Sequence, residues 1–250
     1  MKTKFSWIFY CLVSLLLSQS LSAAERFVTN ESNGFVWIQQ GKAYPILVDS
    51  REDKGVVRAV ANLQTDAGKV TGITPEIIHS VAGNRMLIIG SIENSSWIKQ
   101  LLKAGKINAA DLQGKREKYI LQMVKQPMEG VDEAVVIAGS DKRGTIYGIY
   151  ELSQQMGVSP WYFWADVPVE KHDIISIKEG IYTDGEPAVK YRGIFLNDEW
   201  PCLGNWAGDT FGGFNSKFYE TVFELVLRLK GNFMWPAMWN SAFYDDDPMN

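Results

Sequence analysis

The sequence predicts an α/β protein in two parts: an N-terminal mixed-sheet α/β accessory domain, then the first β/α units of a TIM (β/α)8 barrel. Three observations predict this. From Gly34 to about Val169, short apolar runs of strand length alternate with amphipathic runs of helix length. Between Ile174 and Pro187 the composition shifts to Gly180, Gly185 and Pro187 among acidic residues, which reads as a domain boundary. From about Lys190 an apolar strand, an amphipathic helix and a second apolar strand follow one another, as the units of such a barrel do.

The chain begins with a leader. Lys2 and Lys4 form a short basic region, residues 5–17 supply an apolar stretch, and Ser22-Ala23-Ala24 gives the small-residue cleavage pattern, so residues 1–24 are expected to be a secretory signal peptide. Ser14, Ser18, Gln19 and Ser20 interrupt the apolar stretch, which is short for a membrane span. The expected location is secreted or periplasmic, with no membrane attachment after cleavage. Of the two cysteines, Cys11 lies in the leader, so the mature chain keeps Cys202 alone and makes no internal disulfide.

The accessory domain, residues 25–180, is expected to carry strands at 35–39 and 45–48, then a helix near 55–67. Strands at 75–79 and 86–89, a helix near 96–102, strands at 119–124 and 134–138 and a helix at 143–155 complete it. In the first helix Val56, Val60, Leu63, Ala67 and Val70 make one apolar stripe while Arg58 and Lys69 look away from it. The run Ala138-Gly-Ser-Asp-Lys-Arg-Gly144 follows a strand and opens a helix, but it has neither the dinucleotide glycine spacing nor the ending of a Walker loop. Ser140 or Asp141 is expected to cap that helix, with Gly144 and Gly148 allowing close packing. His79 and His172 have no His or Cys neighbours, so they are read as structural or surface residues.

Charge and composition narrow the function. The formal net charge is −4 over 250 residues with no block of like charge, which disfavours a nucleic-acid or anionic-membrane partner. Most of the nine tryptophans fall after Ser159. Their flat faces suit the C–H faces of sugars, and ordinary core packing explains about half of them equally well.

The barrel part starts at residue 190. In the segment Tyr191-Arg-Gly-Ile-Phe-Leu-Asn-Asp-Glu-Trp200 an apolar strand, with the run Ile194 to Asn197, leads straight into Asp198-Glu199, which delivers two carboxylates to the C-terminal end of a strand, where barrel enzymes place their chemistry. A loop with Trp206 and Gly212-Gly213 follows, then a helix over 216–230 with the stripe Phe218, Val222, Leu225 and Leu229 and a flanking Glu224–Arg228 pair. The second strand, 232–235, ends in Pro236-Ala-Met-Trp239-Asn240, with Trp235 read as packing inside the barrel. Asp245-Asp-Asp247 lacks the alternate spacing of a calcium loop and reads as a solvated turn, and no metal or other cofactor is expected. Two such units leave strand edges and an apolar helix face uncovered, so residues after 190 are expected to be marginal alone.

The runs VVIAGSDKRGTIYGIYELSQQMGVSPWYFWADVPV (135–169), YRGIFLNDEWPCLGNWAGDTFGGFN (191–215) and FYETVFELVLRLKGNFMWPAMWNSAF (218–243) resemble glycoside hydrolase family 115. The resemblance implies a xylan α-glucuronidase, which removes (4-O-methyl)glucuronic acid branches from glucuronoxylan with inversion. It also implies that this chain corresponds to the N-terminal part of a longer enzyme. Inversion needs two carboxyls roughly 6.5–9.5 Å apart. Asp198 and Glu199 are the catalytic candidates, and because successive strand side chains diverge, at most one of them reaches the sugar. Asp198, which directly follows the strand run, is slightly preferred. The other acid orients the loop, or both do, and the second catalytic carboxyl is expected on a later strand. Asn197 and Asn240 are candidates for sugar hydroxyls and Trp206 and Trp239 for stacking platforms, while Arg143, at a helix N-terminus, suits the uronic carboxylate. The alternatives are a non-catalytic carbohydrate-binding protein, or another exo-glycosidase with an α/β domain ahead of a barrel. Oligomeric state has no signature in the sequence.

Overall fold

The computed structural model describes residues 26–249, and the expected leader at 1–24 lies outside them. The chain opens with β1 (Val28–Thr29), β2 (Phe35–Gln39), β3 (Lys42–Ala43) and β4 (Ile46–Val48), followed by α1 (Lys54–Thr71), β5 (Ile77–Ile78), β6 (Arg85–Ser91) and α2 (Ser96–Lys103). A 3-10 turn at Ala109–Asp111 leads to β7 (Tyr119–Lys125), β8 (Glu133–Gly139), α3 (Lys142–Gln155), β9 (Ile174–Ile177) and β10 (Ile181–Tyr182).

These elements form two sheets. The larger has the order β10-β7-β8-β6-β4-β5, with β4, β5, β6 and β8 parallel, β7 antiparallel to β8 and β10 antiparallel to β7, so it is mixed as the sequence predicted. Its central strands read as unbroken apolar runs because both faces are covered. Leu87, Ile89, Val135 and Ile137 face α1 and α3, while Met86, Ile88, Ala134 and Val136 face α2. The predicted stripe of α1 is buried in full, and the helix starts at an Asp53 cap and stops at Gly72 with φ 76°. At α3 the cap is Asp141, whose carboxylate accepts from the Gly144 N–H at 2.8 Å. A methyl group on Gly144 would overlap the Lys118 carbonyl, so the glycine serves close packing and no phosphate cradle.

The smaller sheet is ordered β1-β9-β2-β3. Residues 174–187 are not a free link: Ile175 and Ile177 of β9 are fully buried between β1 and β2, and β10 edges the larger sheet. Flanking glycines and acids conceal the four-residue strand Ile174-Ile-Ser-Ile177, which the α/β domain needs to close its core.

Beyond residue 190 come β11 (Gly193–Phe195), α4 (Leu203–Phe211), α5 (Ser216–Arg228), β12 (Phe233–Trp235) and the short α6 (Phe243–Asp246). The strands β11 and β12 are parallel, with Ile194 opposite Met234 and Phe195 opposite Trp235, and α5 forms the crossover between them. Two expectations are corrected. The stretch after Cys202, expected to be loop, is the helix α4, held by Leu203, Ala207 and Phe211 against Phe218 and ended by Gly212. Leu229 leaves the α5 stripe and is 41% exposed, because the helix ends at Arg228.

This β–α–β unit docks on the α/β domain through charge complementarity. Arg228 pairs with Asp66 at 2.8 Å, Arg192 with Glu117 at 2.7 Å, and Lys230 with Glu151 at 2.5 Å and also with Asp184. In these pairs the cations come from the β–α–β unit and the carboxylates precede residue 190, while Arg58 of α1 pairs with Glu220 of α5 in the opposite sense. The Tyr147 hydroxyl donates to the Gly231 carbonyl at 2.9 Å, and the Asn232 amide donates to Glu117 at 2.8 Å. The predicted Glu224–Arg228 pair forms at 2.8 Å, but Arg228 is buried against the α/β domain and is not on a solvated flank.

Candidate active site

Strand alternation at the end of β11 separates the two acids. Ile194 and Leu196 pack toward α5, as does Met234 from β12. Phe195 lies on the opposite face, where its ring meets that of Trp235 at 5.6 Å. The alternation continues past the strand: Asn197 and Glu199 are exposed, whereas Asp198 between them is 1% exposed.

Asp198 is fully engaged with the loop after β12. Both of its carboxylate oxygens accept from the Trp239 N–H at 3.0 Å, and one also accepts from the Asn240 N–H at 2.7 Å and the Ser241 hydroxyl at 2.9 Å. Burial by itself raises the pKa of this carboxyl, but the hydrogen bonds from Asn240, Trp239 and Ser241 outweigh it and hold the group below its ordinary range. A buried carboxylate kept ionised by these hydrogen bonds is unsuited to donating a proton. Glu199 is the solvent-exposed member of the pair.

The other candidates separate into two places. Trp239 and Asn240 are exposed above Asp198, and Asn197 lies on the same open face as Phe195. Trp206 is a packing residue: its ring lies 5.3 Å from Trp164, 5.5 Å from Phe211 and 6.3 Å from Phe163, joining the segment after α3 to α4. Arg143 lies 3.5 Å from the buried carboxylate of Glu117, beside Arg192, so its charge already has a partner at the docking interface. Neither residue is in contact with the Asp198 cluster. Trp235, expected to pack inside a barrel, is half exposed and its ring meets Phe195.

Among the described residues, no group of three or more His, Cys, Asp or Glu could hold a metal ion. His79 lies 2.9 Å from the Val48 carbonyl and His172 3.3 Å from Glu170, far apart in chain and environment. The acidic run is capping rather than a solvated turn: Asp246 accepts from the Ala242 N–H at 2.7 Å, and Asp247 from the Ser216 N–H at 2.9 Å. No helix among the described residues is long and apolar enough to cross a membrane. Sequence reasoning missed Ser241, Asp66 and Glu117. Only alternation back from Asp198 through Leu196 and Ile194 carried a trace of the clamp.

Residues 184–250 match the sequence profile of glycosyl hydrolase family 115, and residues 38–152 match that of the glycosyl hydrolase family 67 N-terminus. A solved 4-O-methyl-α-glucuronidase of family 115, with specificity for decorated arabinogalactans, aligns over 82% of the chain with 35% identity and a TM-score of 0.70. The chain belongs to glycoside hydrolase family 115. It spans 26% of the length of that solved relative. A mutant β-hexosaminidase of Streptomyces plicatus aligns over 81% of the chain and 31% of its own length, with 15% identity and a TM-score of 0.47, a likeness too distant to carry an argument. No curated protein matches the chain significantly. Within this family 115 chain the matched C-terminal stretch holds both acids, Trp206, Trp239 and Asn240, and Arg143 falls in the stretch matched to the family 67 N-terminus.

Proposed function

We propose that this chain is part of a secreted or periplasmic glycoside hydrolase that releases glucuronic acid, or its 4-O-methyl ether, from a branched polysaccharide with inversion. The observation that carries the reading is the alternation at the end of β11, which leaves Asn197 and Glu199 exposed while Asp198 is buried against the loop that carries the exposed Trp239. Glu199 supplies one of the two carboxyls, which stand about 6.5–9.5 Å apart with the attacking water between one of them and the sugar. The other comes from a further strand end of the barrel that β11 and β12 open. Asn197 and Asn240 hydrogen-bond sugar hydroxyls and the Trp239 ring stacks on a pyranose face.

Glucuronoxylan is the substrate favoured by the sequence resemblance. Decorated arabinogalactan is the second, favoured by the specificity of the solved relative. Incubating the full-length protein with each polymer and measuring released uronic acid tests both. Release from neither polymer would reject the hydrolase reading, and release from one assigns the substrate.

A further inference from the structure

We propose that Asp198 is a positioning residue that locks the loops after the two parallel strands together and thereby presents Trp239 and Asn240 to the sugar. This rests on the glycosidase reading above, which assigns the carboxyl chemistry to Glu199. The geometry is specific. Three consecutive residues, Trp239, Asn240 and Ser241, donate to the Asp198 carboxylate at 2.7–3.0 Å. The group is shielded from solvent, so the carboxylate faces the loop after β12 and not the open face. Trp239 itself is 68% exposed, so its place is fixed through its main chain rather than by packing of its ring. A displayed ring on a clamped backbone costs less ordering entropy when it stacks on a sugar than a ring on a mobile loop. Both β11 and β12 contribute, so the clamp also fixes the spacing between the strand end that carries Glu199 and the loop that carries the ring.

The clamp needs a carboxylate. An asparagine at 198 has one acceptor oxygen and one amide donor, and its NH2 would face at least one of the N–H groups of Trp239 and Asn240. Asp198→Asn therefore unlocks the loop without changing side-chain size.

The test uses the full-length protein, with amide hydrogen exchange and steady-state kinetics on the polymer that it cleaves. In the wild type the peptide over 236–243 is protected. In Asp198→Asn it exchanges about tenfold faster or more, while peptides of β4, β6 and β8 are unchanged. The same variant raises KM about tenfold, Trp239→Ala does likewise, and the double variant is no worse than the worse single one, because both remove the same interaction. Ser241→Ala, which removes one donor and keeps the carboxylate, moves exchange and KM in the same direction by a smaller factor and decides the matter if Asp198→Asn does not fold. Unchanged exchange at 236–243, multiplicative losses in the double variant, or a fall in kcat at constant KM would each overturn the proposal. If the wild type releases no uronic acid, the glycosidase reading fails while the exchange measurement still judges the clamp.

Discussion

Arg228 of α5 and Asp66 of α1 meet at 2.8 Å with their side chains only 3% and 1% exposed. The guanidinium also pairs with Glu224 at 2.8 Å and lies over the Tyr150 and Tyr162 rings at 4.5 and 5.1 Å. Removing one member of a buried pair strands the other charge out of water. Arg228→Ala, which leaves the buried Asp66 only Lys69 at 3.8 Å, is expected to lower stability by about 3–5 kcal/mol in urea denaturation, whereas replacing both members by apolar side chains of similar volume loses far less. Equal losses in the single and double variants would show that the pair is not what holds the interface.

The docking interface also bears on cooperativity. Sequence reasoning expected residues after 190 to be marginal, because their strand edges and helix face are uncovered. Three cations of the β–α–β unit instead reach carboxylates of the α/β domain, and Arg228 is buried in doing so. Residues 26–249 are expected to unfold in one transition, with Lys230→Ala lowering the whole of it. Calorimetry showing two transitions, or proteolysis removing 190–250 from an intact α/β domain, would contradict this.

Gly193 pairs with Phe233 so closely that an added methyl group would overlap the Phe233 carbonyl oxygen. Gly193→Ala is expected to separate β11 from β12 and destabilise the unit by roughly 1–3 kcal/mol, as overpacking does elsewhere. Circular dichroism melting checks it, with Gly208→Ala as the comparison, because nothing lies near a methyl group there.

In the full-length enzyme Glu199→Gln is expected to lower kcat by about 10²-fold or more with little change in KM, the pattern of a group that acts in the transition state. Melting temperature should stay near wild type, since Glu199 is exposed. A Glu199→Gln enzyme with wild-type kcat would remove this residue from the chemistry.

Acid titration offers a separate check on Asp198. Its folded-state pKa is held below the ordinary value. The carboxyl therefore adds stability that is fully present above the unfolded pKa of about 3.9, and that stability is lost as pH falls through the lower folded value. The stability difference between wild type and Asp198→Asn should hold steady at neutral pH and shrink below about pH 4. A difference that grows on acidification would mean that the carboxyl is protonated in the folded protein.

The elements of the α/β domain were legible because each rests on local chemistry. The α1 stripe is a period that 3.6 residues per turn imposes, the Asp141 cap is a side chain satisfying an N–H three residues on, and β6 and β8 are apolar over 86–89 and 134–138 because both faces are covered there. Quoted motifs reached further, to the family and to the strand end that carries Asp198 and Glu199. The failures were of two kinds. Short strands such as β9, hidden among glycines and acids, have too few residues to show a period, and they form only because β1 and β2 wait on either side. The division of labour between adjacent acids was also out of reach. Alternation placed Asp198 and Glu199 on opposite sides, yet Phe195 and Leu196 are both apolar, so nothing local says which side α5 covers. That choice is made by the crossover helix and by three donors some 40 residues away, and long-range contacts of this kind leave no spacing in the sequence to read.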